Sequence, residues 1–171
     1  MTELDEIWSK MLAETAVKAS RAGRRHVVEY LLLKTANDAI RAAASTWLLD
    51  TMAEIALAKP ETLPAVKMER ESPHNFTHHS SNMVGSLIRL RSGVRCLTVD
   101  AGWVRTPSDG IMKAGALALA RIRHFGLPRL DAELRLVRGT ELPRWLDTSD
   151  VPVDSAYLAA HIAVLLENEK P

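Results

Sequence analysis

The feature that most constrains this chain is a change of period near residue 60. Apolar residues recur at helical spacing through Val28, Leu31, Leu32, Ala36, Ala39, Ile40, Ala43, Trp47, Leu48, Met52 and Ile55; past Lys59-Pro60-Glu61-Thr62-Leu63-Pro64 they alternate with polar residues. Proline lacks the amide donor and clashes with the preceding turn, so Pro60 and Pro64 close a helical half. An earlier helix is read from Thr2, three residues before Asp5, and from Leu4, Ile7, Trp8, Met11, Leu12, Thr15 and Ala19, with Gly23 as its stop. Residues 1–58 are therefore expected to form a helical hairpin. Unbroken from Arg25 to Ala58, the second helix would run ~50 Å at about 1.5 Å per residue. That is longer than a compact domain of this size needs to span. Asn37-Asp38 is a candidate break, and without one the helix must protrude or pack against a second chain. The alanines at 42, 43 and 44 permit close helix contact, which points to a homo-oligomer formed through the N-terminal helices.

The second half reads as antiparallel β structure. Leu87–Arg91 and Arg95–Val99 are short runs joined through Ser92-Gly93, with Ile88 and Leu90 alternating against Arg89 and Arg91 as in a half-buried hairpin. A third strand is expected over Asp131–Arg138, where Leu134 and Leu136 alternate with Glu133 and Arg135. Ile111–Phe125 fits either state. Its alanines and the grouping of Ile111, Gly115, Ala118, Leu119, Ile122 and Phe125 on one face favour a helix, with Ser108 or Asp109 as cap and Gly126 as stop; Ala-Leu-Ala-Leu-Ala also fits a strand. Asp154-Ser155 caps a closing helix through Leu158, Ile162, Leu165 and Leu166 that runs into Glu-Asn-Glu-Lys-Pro. The expected class is α+β in a single domain over residues 1–171: a helical hairpin region, a β-containing region at 66–139 and a C-terminal region at 140–171 with the closing helix.

Charge follows the same division. Residues 1–65 carry 8 basic and 9 acidic side chains, residues 66–139 carry 12 and 6, and residues 140–171 carry 2 and 6. A basic middle and an acidic tail either present a surface for anions or neutralise one another across an internal contact. The start, MTELDEIWSK, lacks the basic and apolar character of a secretory signal, and no run approaches the ~20 apolar residues of a membrane span, so a cytoplasmic setting with no membrane partner is expected. The lone Cys96 excludes an intramolecular disulfide and a cysteine zinc cluster; inside an apolar strand with no partner histidine, it is a poor nucleophile.

Several segments hold chemistry-bearing residues. His74, His78 and His79 fall within six residues, and neutral imidazole suits zinc, nickel or ferrous iron. Their Pro, Asn, Ser and Thr neighbours indicate a loop, and no carboxylate lies within the segment Pro73–Asn82 to complete a triad. Ordering such a loop costs on the order of 1 to 2 kcal/mol per residue. No metal and no cofactor are therefore assigned. Arg105, Thr106, Ser108 and Gly110 are the parts of an anion cradle if a helix begins near Asp109, because free amides and the positive helix end would point into that turn. Asp109 already supplies an anion there. Arg89, Arg91 and Arg135 would share one sheet face and form a basic strip for a nucleic-acid backbone, with Phe76 and Trp103 the only aromatics in or beside the region as read. Asp100 beside His124 is a candidate general base, and Gly23-Arg24-Arg25 a candidate helix-turn-helix corner, whose following helix carries leucines in place of base-reading residues. The leading expectation is a non-enzymatic cytoplasmic binding protein whose basic half engages an anionic partner, a phosphate-bearing ligand or nucleic acid. The alternatives are a metal-dependent hydrolase using His74, His78 and His79, and a structural protein-interaction subunit.

Overall fold

The computed structural model describes residues 3–58 and 65–167. The expected cap at Thr2, the segment Lys59–Pro64 and the last four residues of the tail lie outside the described residues. The chain is α+β: two N-terminal helices, a six-stranded antiparallel sheet and a C-terminal helix. Its close contacts group into two units, one up to Ala43 and one from Ala44 onward.

The first unit holds α1 (Glu3–Arg21) and the first part of α2 (Arg25–Leu57). Gly23, at φ 72, takes the left-handed position after α1, and two bonds complete the stop: Gly23 N–H to the Ser20 carbonyl and Arg24 N–H to the Ala19 carbonyl, both at 3.0 Å. The helix α2 is continuous through Asn37-Asp38. Asp38 does not break it, because its carboxylate is drawn into an i,i+3 pair with Arg41 at 2.7 Å. Leu12, Ala19 and Leu31 are buried within this unit, while Ile7, Met11, Val17, Tyr30, Leu32 and Leu33 are each more than half exposed.

In the second unit the strands β1 (Lys67–His78), β2 (Ser81–Ser92), β3 (Arg95–Trp103), β4 (Ala118–His124), β5 (Ala132–Val137) and β6 (Arg144–Asp147) pair in sequence order. The hairpin read at Ser92-Gly93 is there, and Gly93 at φ 58 supplies the positive φ that its two-residue connection needs. Register sets which side chains share a face. Ile88, Leu90, Leu97, Val99, Ile122, Leu134, Leu136 and Trp145 are buried on one face. Also buried are Leu48 and Met52 of α2 and Leu158, Ile162 and Leu165 of α3 (Ser155–Leu166), and the Trp145 indole donates to the Ala44 carbonyl at 3.0 Å. Fully burying a side chain of this kind stabilises by roughly 1.5 to 3 kcal/mol, so this face is the dominant source of stability in the unit. Asp154 caps α3 by accepting from Tyr157 N–H at 2.8 Å.

Two expectations about local structure are corrected. Ile111–Phe125 is not a helix: after single 3-10 turns at Pro107–Asp109 and Lys113–Gly115 the chain enters β4, whose Ala118, Ala120, Ile122 and His124 point inward in strict alternation. Hydrogen-bonding partners on both sides, β3 and β5, overcome the helical propensity of the alanines. Nor is the histidine segment a loop. His74 and His78 lie in β1, with only His79-Ser80 in the turn to β2. This strand is a sheet edge, where a proline is tolerated, and the register slips between Glu71 and His74 as it passes Pro73. Among the described residues no helix is long and apolar enough to cross a membrane.

Candidate functional site

The face opposite the helices is concave. In a flat sheet β1 would lie about 14 Å from β4 and about 19 Å from β5, at roughly 4.8 Å per strand. Here Arg121 of β4 donates to the Thr77 carbonyl of β1 at 3.2 Å, and His78 of β1 reaches Glu133 of β5 at 3.2 Å. The bend is allowed by glycine. Gly85 and Gly102 are directly paired, and a Cβ on Gly85 would run into the Ala101 carbonyl; one on Gly102 would lie 2.9 Å from the Phe76 ring. Phe76 therefore seats itself over Gly102, stacked on His74 and covered by the Arg121 guanidinium 4.9 Å above its centroid.

Asp100 is at the centre of this face, without exposed surface. Arg121 bonds it twice, Nε to Oδ1 at 3.0 Å and Nη2 to Oδ2 at 2.8 Å, and Arg123 adds Nη2 to Oδ2 at 2.9 Å. The suggested Asp100–His124 acid–base pair does not form, because the two residues have opposite parity about β3 and β4 and face opposite sides of the sheet. His124 instead meets His161 of α3, Nε2 to Nδ1 at 2.8 Å, under the helix layer.

Where the concave face ends at the β2–β3 and β4–β5 turns, an open cleft of about 570 Å³ is lined by Arg89, Arg91, Arg95, Thr98, Arg123 and Phe125, with Asp131 the one carboxylate among the described residues of its lining. The arginines differ in their engagements. Arg89 bonds Glu69 at 2.7 Å, and that bond holds the Glu69 carboxyl below its ordinary pKa. Arg95 turns toward the helix layer, donating to the Val164 carbonyl in the last turn of α3 at 2.6 Å. Arg91 is exposed and has no ion pair among the described residues, and the Arg123 side chain is 46% exposed. Phe125 is 81% exposed and Val94 87%, an uncommon outlay of apolar surface beside a basic cleft. Arg135 shares the face by register, as expected, but sits opposite Leu119, four residues along β4 from Arg123, and is paired with Asp150.

The Arg105 turn carries less free capacity. Thr106 N–H and Oγ1 both donate to Asp109 Oδ2, at 3.2 and 2.7 Å, and the Thr106 and Ser108 hydroxyls are 2.7 Å apart. Gly110 packs on Ser81, and the Arg105 guanidinium lies 3.9 Å from the Trp103 ring centroid and donates to the Val84 carbonyl at 3.3 Å. No long helix begins there, so the amides of a helix start are not on offer. Cys96 is partly exposed in the cleft lining.

Of the histidine cluster, the structure separates His74, which pairs with Glu71 at 3.0 Å, from His78 and His79, whose rings meet edge to face with centroids 4.2 Å apart. It adds Glu133. Burial pushes the His78 pKa down against the pull of Glu133. Sequence reading missed Glu133, Arg123 and the exposed Phe125, all because they come from strands whose position depends on the curl of the sheet or on β4 being a strand. Comparison with known protein families, with curated proteins and with solved structures finds no match.

Proposed function

We propose that this protein is a non-catalytic binding protein for a single-stranded nucleic acid, held in the cleft at the β2–β3 and β4–β5 turns. The observation that carries the reading is the placement of Phe125, 81% exposed, beside Arg89, Arg91 and Arg123. Guanidinium groups neutralise phosphates, and an exposed aromatic ring offers any base a stacking surface; together they are the two parts a sequence-tolerant single-strand site requires. An arginine has five N–H donors, so Arg89 and Arg123 retain donors beyond those given to Glu69 and Asp100. The cleft is open, which suits an extended strand passing through. A cytoplasmic setting, and self-association through the N-terminal helices, belong to the same reading.

The test is fluorescence anisotropy of labelled single-stranded RNA and DNA with the wild type, Phe125→Ala and Arg91→Ala, at two salt concentrations. Binding that weakens in both variants and falls steeply with salt supports the reading. Absence of binding at 1 mM protein would overturn it, as would a Phe125→Ala variant that binds like the wild type. Competition by inorganic phosphate alone, with no preference for the oligonucleotide, would replace it with a small phosphate ligand.

A further inference from the structure

We propose that His78, His79 and Glu133 form a binding site for a divalent transition metal of the zinc class. One ligand atom from each of the three lies within 4.8 Å of the others. The set is chemically coherent. Two imidazoles and one carboxylate suit Zn²⁺, Fe²⁺ or Ni²⁺, whereas Mg²⁺ and Ca²⁺ take oxygen ligands. Three protein ligands also leave a coordination position open.

The arrangement is built by the fold and not by a flexible tract. His78 ends β1, His79 begins the turn at φ 51, and Glu133 stands on β5, 55 residues from His78, brought to 3.2 Å of its Nε2 by the curl of the sheet. The entropic cost expected of a loop is thus met by strand pairing. Tetrahedral ligands about 2.1 Å from zinc are roughly 3.4 Å apart, so the widest separation must close by about 1.4 Å. The exposed His79 and half-exposed Glu133 side chains can move by that much, while the His78 side chain, 9% exposed, is fixed. Arg121 is registered opposite Glu133, and its guanidinium is engaged by Asp100 and the Thr77 carbonyl, which softens its repulsion of a cation. Glu133 is registered against Arg121, four residues along the chain from Phe125, and none of the three ligands lines the cleft, so the site stands independently of it. Its ligands come from the end of β1, the turn that follows it and β5, which the curl brings together, and this distinguishes it from a chance pair of surface histidines.

The experiment is calorimetric titration of the purified full chain, stripped with chelator, with ZnCl₂ and separately with MgCl₂. The partners are His79→Gln, Glu133→Gln and a control, His74→Gln, which alters a histidine of the same strand outside the set. The proposal expects one zinc per chain at micromolar affinity, no comparable response to magnesium, and a loss of at least tenfold in His79→Gln and Glu133→Gln but not in His74→Gln. Because His79 and Glu133 are exposed, these variants should keep the wild-type melting temperature in chelator, and only the wild type and His74→Gln should gain thermal stability on adding zinc. Three results would overturn it: no zinc binding at 1 mM, equal loss in the His74→Gln control, or binding unchanged in both ligand variants. Cobalt(II) absorption adds a check that folding cannot mimic, since tetrahedral imidazole–carboxylate ligation gives visible bands in the wild type that His79→Gln should remove.

Discussion

Arg121 places a two-pronged bridge on Asp100, Nε to Oδ1 at 3.0 Å and Nη2 to Oδ2 at 2.8 Å, and the carboxylate it holds has no exposed surface. Removing Arg121 leaves the buried charge with only its single bond to Arg123, whereas removing the carboxylate frees two guanidinium groups that still reach water. Arg121→Ala is therefore expected to cost about 3 to 5 kcal/mol and Asp100→Asn about 2 to 4 kcal/mol. Arg123→Ala, with a side chain 46% exposed, should cost under about 1 kcal/mol. Urea unfolding of the three variants gives the order, and an Arg123→Ala loss equal to that of Arg121→Ala would contradict this account.

The His124–His161 pair makes stability depend on pH. His161 is driven by burial, and then by His124, down to about 4, and burial lowers His124 as well. Asp131 pulls the pair the other way, Arg95 adds to the lowering at His124, and Tyr157 packs on the His161 ring. Both folded values lie below the ordinary 6.5, so the unfolded chain takes up protons first as the medium acidifies. The contribution is fully present above pH 6.5 and is lost as pH falls toward about 4. Between pH 8 and pH 5 the loss should be on the order of 1 to 2 kcal/mol after allowance for solvent screening at the half-buried His161 ring. His161→Gln should flatten the profile in that window. A variant as pH-sensitive as the wild type would assign the dependence elsewhere.

In the cleft, Phe125→Ala should weaken single-strand binding by about 1 to 3 kcal/mol with little change in salt dependence. Arg91→Ala should instead lower the slope of log affinity against log salt by about 0.7, the share of one phosphate in a single strand. Anisotropy titrations at several salt concentrations separate the two effects. Arg135→Ala, on a residue paired with Asp150 and away from the cleft, should leave both quantities near wild type.

The first unit predicts self-association. Two helices cannot bury all of one another's apolar surface, and here Ile7, Met11, Val17, Tyr30, Leu32 and Leu33 remain more than half exposed while only Leu12, Ala19 and Leu31 are buried among its described large and small apolar residues. The expected partner for this exposed surface is a second copy of the same unit. Sedimentation at micromolar protein should give a dimer or larger, and Leu32→Glu with Leu33→Glu should return it to a monomer. A monomeric wild type of 18.9 kDa would remove self-association.

What could be read in advance follows from where the signal lies. The stop at Gly23, the hairpin at Ser92-Gly93 and the strand around Leu134 and Leu136 are local patterns, and each has its cause within a few residues. Two failures share the opposite property. Ala118, Ala120 and Ile122 are small or apolar because they lie in a central strand beneath a helix layer, a demand set by β3, β5 and α3 and not by their own neighbours. Along β1 the sequence KMERESPHNFTH has no inward alternation to detect, since most of this edge strand is exposed and its pairing is imposed by β2. The candidate sites followed suit. Arg89 and Arg91 were legible as one face of a hairpin, but joining them to Arg123 and Phe125, or His78 to Glu133, requires the sheet and its curl.

The order of the strands in the sheet is also their order along the chain. Each strand can zip onto the one just made, so little chain must be searched before each new ladder forms, and the sheet can assemble quickly for a β structure of its size. The contact between Trp145 and Ala44 spans 101 residues and must wait until that zipper is complete. Substitutions in the Ser92–Arg95 hairpin should then slow refolding, whereas loss of the Trp145 indole should chiefly speed unfolding. The last bond to form is in this sense the latch that sets how long the finished sheet survives.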